Sequence, residues 1–243
     1  MDAEEYHLMD EAEDAMWWYR ALHARLIANL APVHGRVLDA GCGTGGLLRL
    51  LGEARPDLTL FGLEWDATAA TRARQKSQAR IARGSVNQLP FADASLNAVV
   101  SADVLCHAAV DPAAALAEFR RVLRPGGLLV LNMPAYTWLT SAHDRRVHNA
   151  RRVTAGELQS WLRAAGFSTV STRFWNFLLL PLMIVQRKLL ARGDAASDVA
   201  AFPPWLDAML HATTHLERHL PFSLPAGGSV LATARRPLSE PAP

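Results

Sequence analysis

The chain has 243 residues, half of them hydrophobic, and carries a formal net charge of +2 with a pI near 8.8. That length buries a full core as one domain, and a charge so balanced does not by itself mark a nucleic-acid partner. With only Cys42 and Cys106, neither a disulfide framework nor a cysteine zinc site can be built, so a reducing cytoplasm and no metal are expected.

Residues 2–14 hold seven acids and no signal-peptide apolar core, and read as a solvated face. From 11 to 30, Met16, Trp17, Tyr19, Leu22, Leu26 and Leu30 recur at largely helical spacing, predicting one or two helices ahead of the domain. Trp17, Trp18 and Tyr19 then offer aromatic faces either to a bound ligand or to the outside of a sheet.

The run Val37-Leu38-Asp39-Ala40-Gly41-Cys42-Gly43-Thr44-Gly45-Gly46, followed by Leu47 to Leu51, reads as strand, tight turn and helix. Glycines suit a turn needing positive φ and a ligand approaching bare backbone, and the helix behind it presents unpaired N–H groups. The spacing fits two cofactor motifs: Gly41, Gly43 and Gly46 spell G-x-G-x-x-G, and Gly41, Gly43 and Gly45 spell G-x-G-x-G. Asp39 separates them, because a carboxylate there repels a pyrophosphate and suits a cationic ligand. The second strand, Leu58 to Asp66, carries Glu64 about twenty residues past the turn, where doubly wound folds place a ribose-binding acid.

In these residues the chain resembles the class I S-adenosylmethionine (SAM) dependent methyltransferases, of the small-molecule, type 11 bacterial kind. The resemblance implies an α/β, doubly wound, Rossmann-like seven-stranded sheet whose last strand is antiparallel. It implies SAM as cofactor and S-adenosylhomocysteine as product. Asp39 would face the amino group of the methionine part, Gly41, Cys42, Gly43 and Gly45 would form the turn, and Glu64 with Trp65 would hold the ribose. Ser85 and Val86 stand in the segment that lines the adenine, with Ser85 replacing the family's usual aspartate.

The alternation continues with a helix from Ala67 to Ser77, a short strand at 79–84, and a fourth strand from Leu96 to Leu105. Asp103 and His107 close that strand, where ligands bind in open α/β sheets. Asp103 is expected beside the cofactor's methionine part or the acceptor, and His107 either orients an acceptor and takes its proton or packs as an ordinary residue. Asp111-Pro112 caps the next helix, which ends at Arg124-Pro125-Gly126-Gly127 before a buried strand from Leu128 to Asn132.

Residues 133–153 make a long connection rich in aromatic, histidine, acid and arginine side chains. Three readings compete for it. In one, Tyr136, His143 and His148 serve catalysis while Asp144, Arg151 and Arg152, with Trp17 and Tyr19, bind the acceptor. In another, His143, Asp144 and His148 are an incomplete metal set; in the third, the segment only buttresses a lid. After a helix from Thr154 to Ala165 and a strand from 168 to 174 comes an insertion rich in Leu, Met and Trp, then a last strand at 229–234. The insertion's 176–190 stretch suits an apolar pocket, a dimer face, a membrane-surface patch or ordinary packing; its longest apolar run, 177–185, is too short to span a bilayer. His211, His215 and His219 recur on one helix face, as zinc ligands or as a packed face.

The organisation expected is one methyltransferase domain over 1–243: lid helices at 1–34, a cofactor core at 35–174, a helical insertion at 175–228, and the last strand and tail at 229–243. The expected reaction moves a methyl group to an O, N or C nucleophile of a small natural-product, lipid- or sugar-related acceptor. Its rivals are a SAM-binding regulator without transferase activity and a nicotinamide oxidoreductase. No nucleic acid, no stable membrane insertion, peripheral membrane contact at most, and a monomer or homodimer complete the expectation.

Overall fold

The computed structural model describes residues 10, 13–141, 144, 147–186, 202–220 and 223–239. Seven strands form one sheet in the order β3-β2-β1-β4-β5-β7-β6. They are β1 (Gly35–Ala40), β2 (Leu58–Glu64), β3 (Arg80–Arg83), β4 (Leu96–Ala102), β5 (Leu123–Pro134), β6 (Ser168–Trp175) and β7 (Ser229–Arg235). The first five run parallel, and β7 runs antiparallel to both neighbours, β5 and β6, as the resemblance implied.

Successive residues of a strand point to opposite faces, and the central strands are apolar on both. Leu38, Val99, Leu129 and Leu131 pack on one side with Leu116 and Phe119 of α4 (Pro112–Val122) and Leu158 and Leu162 of α5 (Ala155–Ala164). On the other side, Val37, Ala98, Val100 and Val130 meet Leu22, Leu26 and Leu30, in or just past α1 (Trp17–Asn29), and Leu47 and Leu51 of α2 (Gly46–Ala54). Helix starts follow their caps. Asp66 accepts from the N–H groups of Thr68 and Ala69 at α3 (Ala67–Lys76), Asp111 does the same for α4, and Thr154 with Glu157 forms a capping box at α5.

The sheet order reverses between β1 and β4, so the loops leaving these two strands flank one crevice. The fourth strand is shorter than its apolar run suggests: it stops at Ala102, and Asp103 turns out of it with φ +54°. The turn expected at 124–127 is instead taken into β5, which pairs with β4 from Leu123 through a register shift.

The insertion folds into α6 (Leu180–Val185) and α7 (Pro204–Glu217); residues 187–201 between them lie outside the described set. Both helices come down on the start of α1. Leu179 and Leu210 pack with Trp17, Asp207 pairs with Arg20, and the Arg25 guanidinium donates to the Thr214 carbonyl at 2.6 Å. No described helix is long and apolar enough to cross a membrane.

Phe119 is fully buried among α4, α5 and the sheet. Phe119→Ala is expected to lower stability by about 3–5 kcal/mol, read from the urea midpoint at unchanged m-value.

Candidate cofactor and acceptor site

A cavity of about 890 Å³ opens at the carboxyl ends of β1, β2 and β4. Its floor is the glycine turn. Gly41 has φ +91°, and a Cβ there would lie 2.3 Å from Val104 Cγ2, so only glycine lets the turn meet the loop after β4. Gly45 serves a different purpose: its missing Cβ would lie 2.8 Å from the Ala73 backbone, so it lets α2 and α3 close on one another and stands outside the cavity wall.

Three carboxylates converge on this floor. Asp39 is buried, and no described side chain hydrogen-bonds to it. Burial, with Glu64 and Glu13 nearby, pushes its carboxyl up to about 8. Glu64 accepts from the N–H of Gly43 at 3.0 Å and of Asp66 at 2.9 Å, which fixes it at the tip of β2. Glu13 accepts from Lys76 at 2.6 Å and from the Thr44 hydroxyl, and burial raises its carboxyl as well. A buried acid without a counter-charge is costly, and a cation placed here relieves that cost. This set of carboxylate acceptors therefore fits an ammonium-bearing ligand and opposes a pyrophosphate. Trp65, 72% exposed, stands at the mouth, and Ser85, Val86 and Asn87 line the wall beyond Glu64.

Across the cavity lies a fourth carboxylate. Asp103 accepts from Asn132 Nδ2 at 3.0 and 3.1 Å, and the Asn132 carbonyl oxygen in turn accepts from the Trp175 indole at 2.8 Å. Burial raises the Asp103 carboxyl to about 7, with the Asn132 hydrogen bonds opposing. His107 and His148 line the same region. They are brought together because the carbonyl of Cys106 accepts from the N–H groups of Ala150 and Arg151, stitching the long connection to the loop after β4. Burial lowers the His107 imidazole below its usual value.

Asp144 and Arg152 also reach the cavity wall, but they are engaged with each other: Arg152 Nη2 lies 2.7 Å from one Asp144 oxygen and 2.9 Å from the other. Asp144 also takes the Ser141 N–H, and Arg152 donates to the Ala135 carbonyl, so the pair clasps the connection into one shape. Arg151 is tied to the His107 carbonyl at 2.6 Å and stays outside the cavity wall. Tyr136 is likewise turned elsewhere, its ring stacked between Trp138 and Phe174 at 5.6 and 5.4 Å. Trp17 and Tyr19 line the cavity, while His143 lies outside the described residues. His211 and His215 of α7 and His219 just past its end lie ring to ring, outside the cavity wall.

Sequence reasoning did not single out Glu13, His23, Asn176, Met183 or Phe202, all of which line the cavity. The signal for Glu13 was present but ambiguous. It belongs to the acidic run, yet Lys76 and Arg49 draw that run's end, Glu13 and Asp14, onto α3 and α2. His23 is buried, its Nδ1 has no partner among the described residues, and burial lowers it to about 4.

Residues 38–131 match the family model described as a methyltransferase domain. A curated relative from Mycolicibacterium smegmatis, named a probable S-adenosylmethionine-dependent methyltransferase, is 32% identical over 167 residues, or 66% of this chain and 63% of its own length. A solved structure from Thermotoga maritima, described as a SAM-dependent methyltransferase and possible histamine N-methyltransferase, superposes with TM-score 0.64 at 17% identity over 96% of this chain and 95% of that one. Another, geranyl diphosphate C-methyltransferase from Streptomyces coelicolor bound to Mg2+, geranyl diphosphate and S-adenosyl-L-homocysteine, gives 0.61 at 14% identity over 90% and 81%. Fold, acidic glycine turn and domain match agree: residues 38–131 match a methyltransferase domain, and the fold around them is that of solved SAM-dependent methyltransferases. The chain spans less than two thirds of the length of the curated relative.

Asp39 has a direct test. With its carboxyl at about 8 it is protonated at pH 7, and a neighbouring ammonium favours the ionised form. Cofactor binding at pH 7 is therefore expected to release about one proton, and affinity to rise as pH approaches 8. Calorimetry in buffers of different ionisation enthalpy reads this release. Asp39→Asn is expected to abolish it and to weaken SAM binding by roughly 10- to 100-fold.

Proposed function

We propose that the protein transfers the methyl group of SAM to a small, largely apolar acceptor carrying one polar, protonated nucleophile. The observation that carries this reading is the continuity of the cavity. It runs from the acidic turn, past Asp103, to a wall of Met16, Trp17, Met183 and Phe202. A neighbour in fold binds geranyl diphosphate, an acceptor that is mostly hydrocarbon, which supports the same polarity here.

The cofactor supplies an electrophilic methyl on a sulfonium. The chain's own residues then have three tasks. Asp39 and Glu64 would hold the ammonium and the ribose hydroxyls, at the end of the cavity opposite Asp103. The aromatic and thioether wall takes the acceptor's apolar body and keeps water out. Asp103, steadied by Asn132 and Trp175, would face the acceptor's nucleophile and accept its proton. His107 and His148, which line the same region of the cavity, would orient that polar group.

Tritiated or deuterated SAM, incubated with a panel of prenyl, quinol and phenolic acceptors, tests the reaction. Asp103→Asn is expected to lower kcat by about 100-fold or more while the Kd for SAM stays within about threefold. Because the base must be unprotonated, the rate should rise with pH and level off above about 7. Equal loss of cofactor binding in that variant would make Asp103 a cofactor ligand instead.

A further inference from the structure

Helix α7 is apolar on its outer face as well as on the inner face where Leu206 and Leu210 pack with Trp17. Its outward stripe is Trp205, Met209, Ala212 and Leu216, spaced four, three and four residues apart, with Trp205, Met209 and Leu216 exposed by 69, 51 and 59%. Its inward side carries Asp207, Thr214 and Glu217. Asp207 pairs with Arg20, and Glu217 accepts from the backbone N–H groups of Asn176 and Leu178. Every acid of α7 is thus turned inward and used there. The approach to α6 repeats the pattern, since Leu178, Leu182 and Val185, again four and three apart, are all exposed. Leu179 of this approach and Leu210 of α7 meet in one cluster with Trp17, so the two outward stripes belong to neighbouring elements.

We infer that the outer faces of α6 and α7 dock on an anionic lipid bilayer, lying in the plane of the interface. Apolar residues including a tryptophan suit the boundary between headgroup and acyl chain, and neither helix is long enough to cross. Charge favours a lipid surface over a second copy of the chain. The sequence between the helices contains Arg187, Lys188 and Arg192 against Asp194 and Asp198, and Arg218 follows α7 directly, while the exposed stripe itself has no acid. The site's geometry agrees: Met183 and Gln186 at α6 and Phe202 before α7 line the cavity from within. The elements that would touch lipid therefore also wall the acceptor end. Delivery of an acceptor from the bilayer by this route rests on the reading under Proposed function; the docking itself does not.

The test is sedimentation of the full chain with vesicles of phosphatidylcholine alone and of phosphatidylcholine with phosphatidylglycerol, alongside analytical ultracentrifugation without lipid. Binding to the phosphatidylglycerol vesicles is expected, at least tenfold weaker to phosphatidylcholine alone, and weakened at least tenfold by Trp205→Glu combined with Met209→Glu. A milder Met209→Ser variant should give an intermediate loss. The variants' SAM affinity, measured in parallel, should match the parent protein, which separates loss of docking from loss of fold or of the cofactor site. No binding to either vesicle, equal binding to both, or a dimer that the same substitutions dissociate in the absence of vesicle binding would each overturn the inference.

Discussion

Three carboxylates are held close together in a buried place, and Asp39 among them has no side-chain partner among the described residues; the rest of the site depends on that constraint. Asp39 cannot be moved, because it lies in a central strand with partners on both sides. Glu64 is fixed by two backbone N–H groups, and Glu13 is drawn in by Lys76 and Thr44. Like charges so placed repel, and burial removes the water that would screen them. The chain tolerates the arrangement by raising the Asp39 carboxyl until it is largely protonated at neutral pH. A ligand that brings a positive charge relieves the strain, and this turns a fold shared with dinucleotide binders toward SAM.

The side of the cavity proposed for the acceptor is governed from further away. Trp175 ends β6, Asn132 lies in β5 and Asp103 follows β4, so one hydrogen-bonded chain crosses three strands to orient a single carboxylate. Arg25 covers the other face of Trp175, with its guanidinium 4.6 Å from the ring. The antiparallel end of the sheet, distant from the glycine turn in sequence, is in this way tied to the chemistry. The long connection is held by Asp144 and Arg152, a buried pair whose rupture would leave an uncompensated charge.

Much of this was legible in the sequence because it was local. The strand, turn and helix at 37–51 are written in consecutive residues, and so are the caps at Asp66, Asp111 and Thr154. Alternation of strand and helix gave the parallel half, and resemblance gave the antiparallel close. What could not be read was long-range pairing. Arg152 looked like an anion-binding side chain until its partner Asp144 was seen beside it, and Tyr136 looked catalytic until Phe174 and Trp138 enclosed its ring. The end of the acidic N-terminal run looked solvated because nothing nearby in sequence announces Lys76 and Arg49 as its partners. The exposed apolar stripe of α7 was likewise hidden, since both its inner and outer faces carry apolar residues and the period does not say which one is covered.

The claim that the acidic turn selects a cationic cofactor is tested most directly by titrating the purified chain, in one calorimetric series, with SAM, S-adenosylhomocysteine and NAD. The account predicts micromolar binding of both adenosyl compounds, which share the ammonium, and no measurable binding of NAD. Binding of NAD with the adenosyl compounds inert would contradict it.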